Sequence, residues 1–468
     1  MSTRSEGDVS SRVVSRIKTA AQRLTDQHVS LAVTGLSGSG KTAFITSLIN
    51  QLLHAPGQQN LPFFEPQRDG RLIGVRRDIQ PDLTVGRFAY EAAMQGLTTS
   101  PAQWPASTRG ISQVRLQLRY RSNRALSQLM SETRTLTLDI TDYPGEWLLD
   151  LPLLSMDYEQ WCQQFWLAQD DDNKRELSRG YVSHCDVLLD PAQRNEVTVA
   201  TLAEDYRGLL LRYKEKGYQL VQPGRFVLPG ELEGAPVLQF FPLPESLFHQ
   251  LKDDPIFGLL EGRYKAYQRQ VVKPFYQQHF KRFDRQIILV DCLSALNQGL
   301  HSFHDLRRSI QWIMGSFHYG QGSLIKRLFS PNIDRLVFAA SKADHITADQ
   351  QQNLVKLLDT MVSEARQHLK FDGVSSEVTA LAAIQASHPV TLNIDNTEQA
   401  ALQGHSPDGS VRTLYPGDVP TACPSTDFFK QQGFSFPAFS PPVFDAGQPL
   451  PHMRMDSIVH DVLADKMR

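Results

Sequence analysis

A glycine-rich segment near the start of the chain combines the residue types that bind phosphate groups. Residues 35–42 read Gly-Leu-Ser-Gly-Ser-Gly-Lys-Thr and match the pattern GxxxxGK[ST] at every fixed position. Glycines let successive N–H groups face a polyphosphate, the lysine supplies a charge for the β- and γ-phosphates, and the threonine hydroxyl can ligate magnesium. An apolar run at 29–34 and helically spaced apolar residues at 43–49 flank the segment, as a strand–loop–helix phosphate site requires. The predicted phosphate contacts are Gly35, Ser37, Gly38, Ser39, Gly40, Lys41, Thr42 and Ala43.

A DxxG motif, Asp142-Tyr-Pro-Gly145, follows a segment of alternating polarity at 134–141. Residues 111–120 alternate in the same way, so the two segments are predicted to form an antiparallel pair half exposed to solvent. An aspartate at such a strand end can hold magnesium through a water, and the Gly145 N–H can sense a γ-phosphate. Asp139 lies on the opposite phase from the apolar positions and is expected to be a solvated strand residue.

Three further residues are expected near the γ-phosphate. Thr108 is the best candidate to close on magnesium, and Arg109 beside it is a candidate arginine finger, although a solvated loop arginine is the alternative. Glu146 occupies the position where Ras-like enzymes place a water-orienting glutamine, so hydrolysis is expected to be slow unless this carboxylate is engaged elsewhere. The predicted catalytic residues are Lys41, Thr108, Arg109 and Asp142, and the predicted metal ligands are Thr42, Thr108 and Asp142.

A third motif, Ser341-Lys-Ala-Asp344, follows an apolar strand pattern at 335–340. It resembles the [NT]KxD element of GTPases, in which the aspartate accepts the two guanine donors N1–H and N2–H₂. The Lys342 stem can lie along the base, whereas Ser341 replaces the usual Asn or Thr. Ala383 and Ile384 are expected to supply a backbone contact to the guanine oxygen. A capped turn before a helix is the alternative interpretation.

The order of these motifs is that of the GTPase branch of P-loop proteins, and the predicted ligands are GTP, GDP and Mg²⁺. An ATPase or kinase, a nucleotide-bound scaffold without turnover, and a phosphotransferase remain as alternatives. The four cysteines are scattered without metal or disulfide spacing, and the net charge of -2 gives no reason to expect nucleic acid. No apolar run approaches the length of a membrane span and the N-terminus does not resemble a signal peptide, so a cytoplasmic location is expected and membrane association is not indicated.

The pattern predicts an α/β fold. Its parts are a Ras-like P-loop NTPase domain, with a mostly parallel sheet and one antiparallel strand, and a mainly helical inserted domain. The insertion is a candidate surface for an unidentified protein partner, and the oligomeric state is left open. Basic residues between 263 and 285 are read as a solvated helix face, with a partner-binding stripe as the alternative. The predicted segments are an N-terminal helix (1–27), the first part of the nucleotide domain (28–147, with an insertion at about 55–105), the helical insertion (148–284), the second part of the nucleotide domain (285–390) and an irregular Pro-rich segment with a closing helix (391–468).

The chain resembles the YcjX-like family of bacterial stress-associated P-loop proteins. The resemblance depends on the three motifs above together with two further runs, Asp-Tyr-Pro-Gly-Glu-Trp at 142–147 and Val-Asp-Cys-Leu at 290–293. The resemblance covers nearly the whole chain, including the insertions and the Pro-rich C-terminus. It implies a cytoplasmic GTPase-like protein with a role linked to envelope or heat stress.

Overall fold

A computed structural model describes residues 27–123, 133–315, 333–371, 373–394, 397–431 and 433–468. The predicted N-terminal helix lies outside the described residues. None of the described helices is long and apolar enough to cross a membrane.

The central element is a mixed sheet of eight strands within the described residues. Its order is β2-β4-β5-β1-β6-β7-β8, and β4 runs antiparallel to both neighbours, while the short β3 pairs with β4 in parallel. The sheet therefore confirms the predicted α/β class, in which an antiparallel pair precedes the DxxG turn. The strands are β1 (Gln27–Gly35), β2 (Leu72–Asp78), β3 (Gly86–Arg87), β4 (Ser112–Arg121), β5 (Thr133–Asp142), β6 (Arg285–Val290), β7 (Arg335–Ala340) and β8 (Ser375–Ala380).

Within the described residues, seven of the fifteen α-helices lie between β5 and β6. The α-helices are α1 (Lys41–His54), α2 (Glu65–Arg68), α3 (Tyr90–Thr98), α4 (Tyr158–Ala168), α5 (Asp172–Cys185), α6 (Glu196–Glu215), α7 (Gly224–Val227), α8 (Glu245–Leu251), α9 (Pro255–Tyr267), α10 (Lys273–Gln278), α11 (Cys292–Asn297), α12 (Leu300–Gly315), α13 (Gln351–Phe371), α14 (Thr426–Gln431) and α15 (Met455–Leu463). A 3₁₀ helix spans Gly145–Ser155 and a π-helix spans Gln268–Val272. We call residues 156–282, from α4 to the turn after α10, the helical segment.

The two faces of the sheet pack against different parts of the chain. Because successive strand side chains point to opposite faces, Leu31 and Val33 of β1 face a core shared with α1 and α15, whereas Ala32 faces the core shared with the helical segment, α12 and α13. The helical segment therefore does not stand apart from the sheet. It lies directly beside the loop that follows β5.

Asp139 of β5 is buried, so the expectation of a solvated strand residue is wrong. Arg115 stands opposite Asp139 in the register of β4 with β5, and its guanidinium contacts the carboxylate twice at 2.7 Å. His28 Nε2 lies 2.8 Å from the same group. Burial by itself favours the neutral acid, but the hydrogen bonds of Arg115 and His28 leave the pKa of Asp139 below its usual value.

The C-terminal region contains a second sheet where an irregular segment was expected from residue 391. Strands β9 (Ser387–Ile394), β10 (Thr397–His405) and β11 (Val411–Leu414) pair antiparallel. Strands β10 and β11 contain few apolar residues, so hydrophobic alternation is weak in them. In β9, apolar and polar residues alternate only over the short run 390–394, directly after a proline. The region at about 55–105 likewise contains β2, β3, α2 and α3.

Candidate nucleotide site

The loop between β1 and α1 has the conformation that its glycines allow. Gly38 and Gly40 both adopt φ of +78°, a region that side chains with a Cβ disfavour. A Cβ on Gly35 would lie closer than 3.0 Å to the Ser39 Oγ and to the Leu289 carbonyl of the neighbouring strand β6. The loop therefore packs tightly on the sheet, and its backbone turns at the N-terminus of α1.

Lys41 links this loop to the DxxG turn. Its buried ammonium group lies 2.6 Å from Asp142 Oδ1 and donates a hydrogen bond of 2.6 Å to the Tyr143 carbonyl. Burial lowers the pKa of Lys41, and the charge of Asp142 offsets part of that effect. The two motifs, far apart in sequence, thus meet through one side chain.

The three predicted metal ligands lie together beside Lys41. The Thr108 hydroxyl donates a hydrogen bond of 2.6 Å to Asp142 Oδ2, and its oxygen is 3.2 Å from the Thr42 hydroxyl. All are oxygen donors, and magnesium in nucleotide sites typically takes one or two carboxylates together with substrate phosphates. Ser39 Oγ is buried at this edge and makes no hydrogen bond within the described residues. The cluster therefore fits magnesium.

The DxxG glycine is required by a close approach of two backbones. A Cβ on Gly145 would lie closer than 3.0 Å to the Gly35 carbonyl, so the turn rests directly on the phosphate loop. The next residue, Glu146, is buried, and its Oε1 lies 2.6 Å from the Lys214 ammonium of α6. The Glu146 carboxylate is thus paired with a cation of the helical segment. Such a pair offsets the repulsion that a free carboxylate would exert on a γ-phosphate.

Arg109 is not brought into this cluster. Its side chain is exposed, and the described part of the chain provides it with no ion pair or side-chain hydrogen bond. A role as an arginine finger stays a prediction.

The Ser341-Lys-Ala-Asp344 motif follows β7 at the same edge of the sheet, as expected from the carboxyl ends of parallel strands. Lys342 has a left-handed backbone (φ 62°), and its ammonium pairs with Asp291 and lies 3.2 Å from the Ser294 hydroxyl. Ser341 Oγ is 3.5 Å from the Val290 carbonyl, so this side chain contacts β6 rather than the phosphate loop.

The loop after β8 contacts Asp344 through a backbone amide. Asp344 is 3% exposed, and its Oδ2 accepts a hydrogen bond of 2.8 Å from the Ala386 N–H. The contact of Ala383 and Ile384 with the guanine oxygen stays a prediction, and the Ile384 side chain packs in a small cluster with Leu97. One Asp344 oxygen is therefore already partly committed within the chain.

Comparison with known proteins was made for the whole chain. The model of the YcjX-like family, DUF463, matches residues 29–467. The Ras-like GTPase YcjX of Escherichia coli (strain K12) is 44% identical over 475 residues, which cover 98% of this chain and 100% of that protein. The Ras-like GTPase YcjX of Shewanella oneidensis is 42% identical over 477 residues, covering 97% of this chain and 98% of that protein. The chain belongs to the YcjX-like family.

Two parts of the site in this member of the YcjX-like family carry no motif that would reveal them. Lys214 is one of several basic residues on its helix, and nothing local to it points to Glu146. The C-terminal segment also reaches the site, because the Pro437 carbonyl lies 2.8 Å from His345 Nδ1 and the Phe439 ring contacts the His345 ring at 5.2 Å. The C-terminal segment is rich in phenylalanine, which favours burial, but this composition does not show which part of the chain the rings pack against.

Proposed function

We propose that this chain binds GTP and GDP with Mg²⁺, hydrolyses GTP slowly and acts as a nucleotide-dependent switch. The proposal depends on one observation: Thr108 and Asp142 lie within hydrogen-bond distance of each other, and Asp142 contacts Lys41 of the phosphate loop. The printed names of two relatives, each a Ras-like GTPase, agree with it. A role in bacterial stress is supported by the family resemblance alone, whereas a cytoplasmic location is supported by that resemblance and by the sequence pattern.

Each residue of the cluster has a distinct part in this proposal. Backbone N–H groups of the loop and the Lys41 ammonium bind the phosphates. Thr42, Thr108 and Asp142 would hold the magnesium ion, which neutralises phosphate charge when it is bound. Because Lys41 is paired with Asp142 and the Tyr143 carbonyl, a polyphosphate must compete for its ammonium group.

The helical segment is placed to report the nucleotide state. Residues of the Gly145–Ser155 helix are buried against it, and Asp150 accepts hydrogen bonds from the Gly224 N–H at 2.7 Å and the Tyr267 hydroxyl at 2.6 Å. A shift of Gly145 on arrival of a γ-phosphate must therefore be accommodated by the helical segment. A protein partner on that segment is the proposed recipient of the signal.

An ATP-binding protein is the second candidate. The observation that favours it is the hydrogen bond from Ala386 to Asp344 Oδ2, which reduces the acceptor capacity left for two guanine donors. Competition of GDP and ADP against a fluorescent nucleotide separates the candidates, and release of inorganic phosphate separates a GTPase from a scaffold without turnover.

The guanine assignment is tested by Asp344→Asn. The substitution replaces one acceptor by an NH₂ donor, so affinity for GDP should fall by a factor on the order of 100. Xanthosine diphosphate carries a carbonyl where guanine carries its amine, so its affinity should rise in the same variant. The measurement is calorimetry with both nucleotides, and exposed Asp253 gives the control variant Asp253→Asn. Equal losses for both nucleotides would show that Asp344 is only structural.

A further inference from the structure

Glu146 is held between two parts of the chain by backbone contacts. On one side, the preceding Gly145 rests on the Gly35 carbonyl of the phosphate loop. On the other side, a Cβ on Gly224 of α7 would lie closer than 3.0 Å to the Glu146 carbonyl. Neither contact tolerates a larger residue without movement, so the position of Glu146 is fixed by the phosphate loop and the helical segment together.

The side chain of Glu146 has a cation supplied by the helical segment. Lys214 Nζ lies 2.6 Å from Oε1, with the carboxylate 8% exposed and the lysine side chain 25% exposed. Burial is the largest influence on the pKa of Lys41 and lowers it, whereas the negative charge of Glu146 raises it. The carboxylate therefore acts electrostatically on the lysine of the phosphate loop. A buried carboxylate without its cation is costly, so loss of Lys214 would leave the Glu146 carboxylate buried without its ion-pair partner.

We propose that Lys214 is a positioning residue for GTP hydrolysis, which holds Glu146 as the hydrogen-bond acceptor for the attacking water. This inference rests on the proposed GTPase function. The water oxygen forms a bond to the γ-phosphorus while the bond from that phosphorus to the β-phosphate oxygen breaks, and its electron pair leaves with GDP. Glu146 orients the water, and one of the water's protons passes to an oxygen of the released phosphate. The helical segment thus completes the hydrolytic site.

The test compares Lys214→Met with Lys214→Arg in single-turnover hydrolysis of GTP. The Lys214→Met change should lower the hydrolysis rate about 100-fold, which is the effect that removal of one positioned acid–base group typically has. The affinity for GDP should stay within about threefold of the wild-type value. Lys214→Arg keeps the charge and should recover most of the rate. The matched control is Lys216→Met, an exposed lysine just beyond α6. Equal rates for Lys214→Met and wild type would overturn the inference.

A second measurement separates positioning from a structural role. Aluminium fluoride with GDP mimics the transferring phosphoryl group and should raise wild-type affinity for a fluorescent GDP analogue, and Lys214→Met should lose that gain. In a Glu146→Gln background, Lys214→Met should change the hydrolysis rate by about threefold or less, because no carboxylate remains to be held. Independent effects of the two substitutions would show that Lys214 acts elsewhere. A wild-type protein that binds no guanine nucleotide would instead overturn the proposed function itself.

Discussion

The ammonium group of Lys41 is at the centre of the site, because it joins the phosphate loop to the DxxG turn. Its two contacts, with Asp142 and the Tyr143 carbonyl, are both 2.6 Å. An ion pair this buried stabilises the turn only while both partners are present. Loss of Lys41 should therefore affect ligand binding and also the local structure of the turn.

We expect Lys41→Ala to abolish detectable nucleotide binding in calorimetry, because the phosphates lose their point charge. The fold should persist, with a free energy of unfolding lower by about 3 kcal/mol as Asp142 is left buried without its cation. Lys356→Ala, at an exposed position of α13, should change neither quantity. Wild-type affinity in the Lys41→Ala variant would show that this loop does not bind phosphate.

Asp150 predicts a pH dependence of stability. It is fully buried, and burial raises its pKa to about 6 from 3.8, despite hydrogen bonds from Tyr267, Gly224 and Arg225. Between about pH 4 and pH 6 the folded chain keeps a proton that the unfolded chain has released, so the unfolding free energy falls as pH rises, by on the order of 3 kcal/mol. Urea unfolding of wild type and Asp150→Asn at several pH values isolates this contribution. The wild-type advantage over the variant should shrink with rising pH, and a constant difference contradicts the prediction.

The role of a single residue could be predicted where a sequence motif specifies both the residue type and its position relative to a strand or helix. The positions of Lys41, Thr108 and Asp142 beside one another agree with roles assigned from motif order alone. Asp139 was misjudged because the sequence does not show which side chains stand across from it in β4. Lys214 could not be found because its partner lies in another element, far away in sequence.

The Gly145–Ser155 helix depends on helices that meet it from the helical segment. The π-helix Gln268–Val272 begins next to Tyr267, and these two adjoining positions both serve the Gly145–Ser155 helix. The Tyr267 hydroxyl donates a hydrogen bond of 2.6 Å to Asp150, and the Gln268 amide donates to the Leu153 carbonyl. Both residues therefore bond to the Gly145–Ser155 helix from the junction of α9 with the π-helix.

Close packing of α7 against this helix gives a second stability prediction. Gly224→Ala places a methyl group against the Glu146 carbonyl and should lower the free energy of unfolding by about 1–3 kcal/mol. Gly180→Ala is the control, because Gly180 lies in α5 with nothing near its absent Cβ. That change should raise stability by up to about 1 kcal/mol through helix propensity. Chemical denaturation of both variants measures the contrast, and a neutral Gly224→Ala would argue against the close contact.

Helices and strands could be predicted from the sequence where their apolar residues recur with a clear period. Strands β4 and β5 alternate clearly, so their antiparallel pairing followed from the sequence, and the apolar run at 335–340 indicated β7. The sheet of β9, β10 and β11 was missed because β10 and β11 show little apolar periodicity and the short alternation at 390–394 of β9 follows a proline.

The C-terminal chain connects parts of the molecule that the motifs alone would leave separate. Trp104, ahead of Thr108, donates a hydrogen bond of 3.1 Å to the Phe439 carbonyl, and Leu450 exchanges hydrogen bonds with Asn50 and Gln51 of α1. Helix α15 then packs on the sheet face that α1 also covers. The site is therefore surrounded by two long additions to the nucleotide domain, the helical segment on the DxxG side and the C-terminal chain on the other.

These connections predict how a change of nucleotide spreads through the chain. The DxxG turn is fixed to α6 by the Lys214–Glu146 pair and to α7 by the Gly224 contact, so a movement of Gly145 cannot stay local. We expect hydrogen exchange to differ between the GDP state and a state with a non-hydrolysable GTP analogue. The difference should appear in peptides covering 145–155, 212–228 and 264–272. Peptides from β9 to β11, whose described residues make no hydrogen bond to the DxxG turn, serve as the control and should be unchanged. Differences confined to 142–147 would mean that the helical segment does not respond to the nucleotide, and its proposed part as the reporter of the switch would be wrong.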